Sequence, residues 1–136
     1  MTGERNLDTL LRTMTPELQE GVFVFCTVGA DIDIPALLKP LLLFREREGI
    51  TLIVRAEDAE RAGLPHQFAS RLITLNVHSA LDAVGFLAAV TTRLAAAGIS
   101  VNAVSAFHHD HLFVPEHSAA EALRVLQEMS RVPRSQ

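Results

Sequence analysis

The second half of the chain alternates apolar and polar positions in an order that predicts a βαββα unit. Its segments are a strand at Leu72–His78, a helix from Ser79 to Ala97, strands at Ile99–Val104 and Leu112–Pro115, and a helix from Ser118 to Met129. Compact units of this kind often bind small molecules at the turn between strand and helix. The pattern therefore points to a ligand-binding or regulatory module.

The first helix of this half has sequence signals for both of its ends. Ser79 and Asp82 have the spacing of a capping box. Gly98 suits the left-handed position that ends a helix, with Ile99 folding back on Leu94. The inward face is predicted to comprise Val84, Leu87, Ala88, Thr91, Leu94 and Ala95. The opposite face is also apolar and carries Phe86, Ala89, Ala96 and Ala97. We therefore expect this face to be covered by the other half of the chain and by a second chain in a homodimer.

The first half begins with a short helix and a buried strand. Asn6 is expected to cap the helix and Thr15-Pro16 to end it; its inward face would hold Leu7, Leu10, Leu11 and Met14. The apolar run Val22–Val28 predicts a strand buried on both faces. Residues 33–49 are predicted to be helical, most firmly at Leu41–Glu48 with Gly49 as its end. At the other end of the chain, order is expected to end at Val132-Pro133.

The two halves echo each other as an internal repeat. Val22–Val28 matches Arg71–Val77, and Gly49–Val54 matches Gly98–Ala103, both at an offset of 49 residues. We therefore predict two copies of one βαβ-containing unit, an N-terminal repeat at residues 1–65 and a C-terminal repeat at residues 66–136. The first copy is expected to be short of one strand, so that a neighbour must cover its edge.

Composition and charge narrow the functional classes. The chain of 136 residues is 49% hydrophobic and 21% charged, which fits a globular protein, and its net charge of −4 offers no basic patch for nucleic acid. The N-terminus lacks the apolar core of a signal peptide, and no apolar run approaches the roughly 18 residues of a membrane span, so we expect a cytoplasmic protein. Cys26, the only cysteine, is expected to be a small buried strand residue.

Five segments of the sequence match a known family: Val77-His-Ser-Ala-Leu-Asp-Ala-Val-Gly85, Ala97-Gly-Ile-Ser-Val-Asn102, His109-Asp-His-Leu-Phe-Val-Pro115, Phe44-Arg-Glu-Arg-Glu-Gly-Ile-Thr-Leu52 and Met14-Thr-Pro16. On these segments the chain resembles the ACT-domain superfamily, in particular small bacterial proteins with two tandem ACT-like repeats. The resemblance implies an α+β, ferredoxin-like (βαββαβ) fold with an antiparallel sheet and helices on one face. It also implies dimerisation, amino-acid binding, and regulation rather than catalysis.

The resemblance places an amino-acid site at the turn that follows the strand Leu72–His78. Carried over onto this chain, the ligand-binding residues are His78, Ser79, Leu81, Asp82, Ala83, Val84, Gly85 and Phe86, with Ser100 and Asn102 across from them. A helix N-terminus suits a carboxylate, Gly85 allows close approach to the backbone, and Asp82 could receive an α-ammonium group. A capping Asp82 would repel the carboxylate, however, and Ser79 with Asp82 could equally serve only to start the helix.

Two polar features of the second half remain open between structural and functional roles. Asn102 interrupts an apolar strand, so it is exposed at an edge or paired with the backbone or a ligand, because an unpaired buried amide costs about 1–3 kcal/mol. His108-His109-Asp110-His111 is predicted to be a hairpin turn with Asp110 in a tight backbone conformation. There are two alternatives: contact with a ligand or partner, and a metal site in which His78 joins His109 and His111.

These observations predict a regulatory or sensor protein that binds a small molecule, expected to be an amino acid, without catalytic activity, metal or cofactor. The alternative is a protein-interaction module whose sheet and apolar helix bind a partner enzyme, which is expected to be a separate protein because no catalytic segment accompanies the repeats. A metal-dependent enzyme built on His78, His109 and His111 is the third hypothesis. No Ser-His-Asp, Cys-His or paired-carboxylate arrangement supports other catalysis.

Overall fold

A computed structural model describes residues 3–131 of the chain. Its residues cluster into two compact units. The first unit combines the described residues of 1–20 and 71–136, and the second unit comprises residues 21–70. The expected end of order at Val132-Pro133 lies outside the described residues. The first unit is therefore built from both ends of the described chain.

The first unit contains three helices and four strands. Along the chain these are α1 (Leu7–Thr13), β1 (Thr15–Leu18), the second part of β5 (Gln67–Asn76), α3 (Phe86–Ala96), β6 (Asn102–Ser105), β7 (Asp110–Pro115) and α4 (Ala119–Arg131). The strands lie in the order β1–β5–β7–β6, with antiparallel pairing between β1 and β5 and between β6 and β7. A strand–helix–strand–strand–helix run is thus completed by a fourth strand from the N-terminal segment.

The core of the first unit lies between one face of this sheet and the three helices. Strands contribute Ile73, Leu75, Leu112 and Val114, and the helices contribute residues that include Leu10, Leu11, Phe86, Val90, Leu94, Ala122, Val125 and Leu126. Each of these side chains is at least nine-tenths buried. Because alternate residues of a strand share a face, the spacing of two in β5 and β7 places all four strand residues on the helix side.

The second unit has the same strand order, with one α-helix where the first unit has three. Its elements are β2 (Phe23–Val28), a 3₁₀ turn (Ala36–Leu38), β3 (Leu42–Arg45), β4 (Ile50–Arg55), α2 (Ala56–Arg61) and the first part of β5. The strands lie in the order β3–β4–β2–β5, and β4 pairs antiparallel with both β2 and β3. Its core is formed by Val24, Cys26, Leu38, Ile50, Leu52, Val54 and Ala59.

When β2, β3, β4 and β5 are numbered 1 to 4, the strand order of the second unit is 2–3–1–4. Numbering β5, β6, β7 and β1 in the same way gives the first unit the same order. That order, with helices on one face of an antiparallel sheet, confirms the predicted α+β, ferredoxin-like fold of two tandem repeats. Strand β5 ends the second unit and continues into the first. The predicted boundary at residues 65 and 66 stays a prediction about the sequence repeat, since the compact units divide the chain differently.

The prediction of a helix at Leu41–Glu48 is wrong, because residues 42–45 form strand β3. Leu42 pairs with Ile53 and Arg45 with Ile50, and a tight turn from Glu46 to Gly49 joins the two strands. The turn needs a glycine because a Cβ atom on Gly49 would lie 2.6 Å from the carbonyl oxygen of Val28. The first copy therefore lacks an α-helix between its first two strands. The expectation that it is short of one strand stays a prediction.

The offset of 49 residues also misaligned part of the repeat. Gly49–Val54 leads into β4, which is followed directly by α2. Its structural counterpart is β7, which is followed by a 3₁₀ turn (Glu116–Ser118) and α4, whereas Gly98–Ala103 leads into β6. Helix α1 ends before Thr15-Pro16, as predicted, and these two residues open the edge strand β1. An edge strand tolerates Pro16 because one side of it needs no ladder hydrogen bonds.

Helix α3 has the predicted end but a later start and a rotated buried face. Ile99 N–H donates to Leu94 O and Gly98 N–H to Ala95 O, which is the Schellman arrangement predicted. The buried side chains of α3 are Phe86, Val90 and Leu94. The predicted inward face was therefore wrong for most of its members, because both sides of the helix are apolar and the pattern alone could not orient it.

Candidate functional site

The loop between β5 and α3 is held by the N-terminal segment of the chain. Glu4 forms a parallel bridge with Ser79, in which Glu4 N–H donates to His78 O at 2.8 Å and Ala80 N–H donates to Glu4 O at 2.9 Å. Gly3 lies so close to the loop that a Cβ atom there would be 2.6 Å from the backbone nitrogen of Ala80. The loop backbone is thus paired as a short strand rather than as the first turn of a helix.

The predicted capping box of Ser79 and Asp82 is wrong. Helix α3 begins at Phe86, with Gly85 at the N-cap position and no side chain hydrogen-bonded there. Gly85 has a φ of 93°, a left-handed conformation that glycine adopts without steric cost. Because the bridge to Glu4 keeps Ser79 extended, the chain needs six more residues before helical geometry begins.

Asp82 is instead paired with an arginine from the N-terminal segment. Arg5 Nε donates to one carboxylate oxygen of Asp82 at 3.0 Å, and Arg5 Nη2 donates to the other at 3.1 Å. This hydrogen bonding from Arg5 lowers the pKa of Asp82, so the carboxylate is charged at neutral pH. The two side chains remain 56% and 71% exposed, which leaves both charges open to a further partner.

An open depression of about 310 Å³ lies beside this ion pair. Its lining includes four residues that the sequence predicted, His78, Ser79, Leu81 and Asp82, together with Gly3, Arg5, Ala80 and Phe107. A volume near 300 Å³ is at the lower end of the range for small-molecule sites. The depression thus brings part of the predicted site together with N-terminal residues and a hairpin residue.

A second, smaller cavity of about 60 Å³ lies at the start of α3. Among its lining residues are the predicted Ala83 and Phe86, together with Ser105 and Asp110 from β6 and β7. Asp110 is 7% exposed and accepts a hydrogen bond from Ser105 Oγ at 2.6 Å. The cavity is large enough for a few water molecules only, and it contains a buried carboxyl group beside the helix start.

Four of the predicted ligand-binding residues line neither cavity. Val84 is 85% exposed, and Gly85 shapes the backbone before α3. Ser100 lies in the loop before β6 and is exposed, and Asn102 opens that edge strand, also exposed and paired through the backbone with Phe113. Of the roles left open for Asn102, the structure shows the exposed edge position. The predicted set as a whole stays a prediction.

The sequence-based reasoning missed Arg5 as a neighbour of the site. No spacing rule connects Arg5 with Asp82, because 77 residues separate them. Phe107 was not among the predicted site residues, although it is 65% exposed and lines the depression. The repulsion expected between Asp82 and a ligand carboxylate was the one signal in the sequence that a cation must lie nearby.

The histidine-rich segment forms the hairpin between β6 and β7, as predicted. Ala106 N–H donates to His109 O at 3.0 Å to close the turn. Asp110 is the first residue of β7 rather than a residue in a tight turn conformation, so that detail is wrong. His111 Nδ1 lies 3.0 Å from Thr74 Oγ1, and burial, together with the nearby His109, lowers the pKa of His111.

Cys26 and the groups that could bind a metal ion bear on the hypotheses of a reactive thiol and of a metal-dependent enzyme. Cys26 is buried in β2, as predicted, and burial raises the pKa of its thiol. Within residues 3–131, no three His, Cys, Asp or Glu side chains are grouped so that they could hold a metal ion. The helices of this described part include none with the length and apolar character needed to cross a bilayer.

Comparison with known proteins identifies related structures. The chain shares 46% sequence identity with a protein of unknown function from Vibrio cholerae, described as a possible transport protein; the match covers 92% of this chain and 96% of that one, with a TM-score of 0.84. A protein from Agrobacterium tumefaciens shares 18% identity, with 86% and 89% coverage and a TM-score of 0.74. The regulatory subunit of aspartate kinase from Thermus flavus shares 12% identity, with 85% and 97% coverage and a TM-score of 0.60.

Family models match nearly the whole chain. One ACT-domain model matches residues 2–71, and a second ACT-domain model matches residues 67–128. No protein of curated function matches the sequence. The two models overlap within β5, the strand that the structure shows to be shared between the two units. With its two tandem ACT-type segments and ferredoxin-like units, this chain belongs to the ACT-domain family.

Proposed function

We propose that the protein is a regulatory sensor that binds an amino acid at the β5–α3 loop and acts through binding rather than catalysis. Membership of the ACT-domain family supports a regulatory, ligand-binding role. The likeness to a regulatory subunit of aspartate kinase supports the fold that carries such a role. The regulated partner would be a separate enzyme in the cytoplasm, and the protein would act as a homodimer.

The observation that carries this proposal is the open depression of about 310 Å³ on the β5–α3 loop. It combines a paired but exposed cation and anion with exposed apolar side chains, Leu81 and Phe107. Free amino acids carry the same combination of opposite charges and a variable side chain. His78 to Asp82 would therefore form the ligand-binding wall. Ala83 and Phe86, which line the small cavity at the start of α3, would pack behind this wall.

A thermal-shift screen against the twenty amino acids tests the proposal. An amino acid present at 100 times its dissociation constant stabilises the folded state by about 2.7 kcal/mol. For a protein of this size, that corresponds to a rise in the melting temperature of roughly 10 °C. If no amino acid at millimolar concentration changes the melting temperature, the sensor proposal fails.

A protein-interaction module remains the second candidate because the second unit exposes apolar side chains at a sheet edge. Strand β3 pairs only with β4 among the described residues. Phe44 is 62% exposed, and Leu41 next to the strand is 53% exposed. Exposed, apolar edge strands readily pair with another chain. A second copy of this chain or a partner enzyme would add a strand here.

Sedimentation velocity of the wild type and of Phe44→Glu tests this candidate. A dimer that dissociates in the variant supports pairing through β3. Ile32→Glu is the matched control, because Ile32 is 55% exposed but lies outside the strand. A dimer that survives Phe44→Glu argues against this edge as the interface, and a variant-sensitive dimer with no amino-acid response would favour the interaction module over the sensor.

A further inference from the structure

The start of α3 is poorly suited to receive the carboxylate of a ligand. The cavity there has a volume of about 60 Å³, which is smaller than an amino acid. Its wall contains the carboxyl group of Asp110, which is almost fully buried. A second carboxylate beside it would be repelled in a poorly solvated environment. The negative group of a ligand must therefore find its positive partner elsewhere.

Arg5 is the cation that lines the larger depression. Its guanidinium group makes two parallel hydrogen bonds with the carboxylate of Asp82. A planar guanidinium binds carboxylates through this same paired geometry, so an α-carboxylate can replace Asp82 as its acceptor. Asp82, once released, can accept hydrogen bonds from an α-ammonium group. The ion pair is thus complementary to both charges of a free amino acid.

The position of Arg5 is set by the chain on both sides of it. Glu4 forms the backbone bridge with the loop, and its carboxylate accepts hydrogen bonds from the N–H groups of Arg5 and Asn6. Asn6 in turn caps α1 through its side chain, which accepts from Thr9 N–H at 2.9 Å. Because the backbone around Arg5 is anchored, only its side chain needs to turn to exchange one carboxylate for another.

The apolar wall of the depression indicates the kind of side chain that would accompany these charges. Leu81 and Phe107 are 68% and 65% exposed, and both line the depression. An apolar ligand side chain placed between them would remove three apolar surfaces from water at once. Among the residues that line this depression, Arg5 and Asp82 form the one ion pair, and they are needed for the α-substituents.

We propose that Arg5 and Asp82 together recognise the zwitterion of a free α-amino acid with an apolar side chain, Arg5 binding the carboxylate and Asp82 the ammonium group. This inference rests on the proposed function and adds to it a binding residue from outside the β5–α3 loop. It also resolves the repulsion expected between Asp82 and a ligand carboxylate. The opposite possibility is that Arg5 simply occupies the place of the ligand's ammonium group.

Calorimetric titration of the full chain with L-leucine, L-methionine and L-phenylalanine tests the inference. Both Arg5→Gln and Asp82→Asn should weaken binding of the responding amino acid about two- to fivefold, as expected for exposed charge pairs. Arg12→Gln and Asp8→Asn are matched controls, because both residues are exposed on α1, and they should leave the affinity unchanged. Arg5→Lys keeps the charge but loses the paired geometry, so it should recover part of the affinity.

Analogues that lack one charge separate the two roles. The analogue 3-methylbutylamine is leucine without its carboxylate, so Arg5→Gln should not weaken its binding. The analogue 4-methylpentanoate is leucine without its ammonium group. Each should bind the wild type at least fivefold more weakly than L-leucine. If Arg5→Gln binds the amino acid more tightly, Arg5 only competes with the ligand and the inference is wrong.

The remaining outcomes distinguish this inference from the proposed function. If the wild type binds an amino acid and both charge variants bind it with the same affinity, recognition by Arg5 and Asp82 is refuted and the sensor proposal stands. A response limited to amino acids with charged side chains refutes the apolar part of the inference. If the wild type responds to none of the twenty amino acids, the proposed function fails and this inference fails with it.

Discussion

Replacing Gly3 with alanine tests how the N-terminal segment is attached to the β5–α3 loop. The added Cβ atom would lie 2.6 Å from Ala80 N and 2.6 Å from the carbonyl carbon of Ser79. Both contacts are with backbone, so the segment itself must move away from the loop. The two hydrogen bonds between Glu4 and the loop, from Glu4 N–H and from Ala80 N–H, should then be lost.

The size of the effect follows from those two hydrogen bonds. Each contributes about 0.5–1.5 kcal/mol net, so the pair contributes about 1–3 kcal/mol to holding the segment in place. The freed residues regain conformational entropy, which offsets part of this loss. We therefore expect the amide of Ala80 to exchange with solvent about tenfold faster in Gly3→Ala, since local opening controls its exchange.

Hydrogen exchange followed by NMR or mass spectrometry measures this change. The amide of Ile99, which donates to Leu94 O at the end of α3, reports on the rest of the unit and should exchange at the wild-type rate. Gly29→Ala is the matched variant, because Gly29, like Gly3, is not in a left-handed conformation and its added Cβ atom would meet only the exposed side chain of Ile32, at 3.3 Å. Unchanged exchange of Ala80 in Gly3→Ala would show that the segment is not held as the structure indicates.

Three further experiments test the core, the hairpin and the cysteine. Leu94→Ala should lower the free energy of unfolding by about 2–5 kcal/mol because Leu94 is fully buried. Val84→Ala, at an 85% exposed position in the loop before α3, should change it by less than about 0.5 kcal/mol. Urea titration compares them, and equal effects would contradict the burial assigned to these two side chains. The pKa of His111 in the folded state is lowered below its usual 6.5, so the unfolded state binds a proton first as the pH drops. Stability should therefore fall below about pH 6.5 until the lowered pKa is passed. Urea titrations across this range should show a smaller loss of stability for His111→Asn. Cys26 should react with a thiol reagent only when the protein unfolds, since burial shields it and raises its pKa, and rapid labelling of the native protein would refute this.

Local signals in the sequence predicted the elements that depend on neighbouring residues. Asn6 caps α1, and Gly98 with Ile99 ends α3 in the expected Schellman arrangement. The apolar run around Cys26 forms a strand as predicted, but the prediction that it is buried on both faces is wrong, because Thr27 is exposed. These features are set by contacts within one or two turns of chain, so a linear pattern contains the information that they need.

Strand β3 shows where local patterns fail. Its segment, followed by Glu46-Arg47-Glu48, is rich in residues that favour helices, and Gly49 resembles a helix end. Pairing with β4 overrides that preference, since a strand's stability comes from its neighbours across the sheet. The same dependence explains the misaligned repeat, because β4 and β7 are equivalent by their place in the sheet rather than by sequence spacing.

The candidate site was predicted in part for the same reason. The loop at His78 to Asp82 was found from its position between a strand and a helix, which is a feature of chain order. The pairing of Asp82 with Arg5 and the exposed ring of Phe107 depend on where distant segments meet. No property of Arg5 in isolation distinguishes it from other exposed arginines of the chain.

The sequence by itself determined that this chain forms two related α+β units of the ACT type, and it predicted a ligand site at the turn after the strand that ends near His78. Only the tertiary structure decided which strands complete each unit, where α3 begins and which charge faces Asp82. Apolar periodicity and capping act over a few residues, and they can be read along the chain. Strand order and ion pairs are decided by the free energy of packing segments that lie far apart in sequence, and that free energy is a property of the assembled fold.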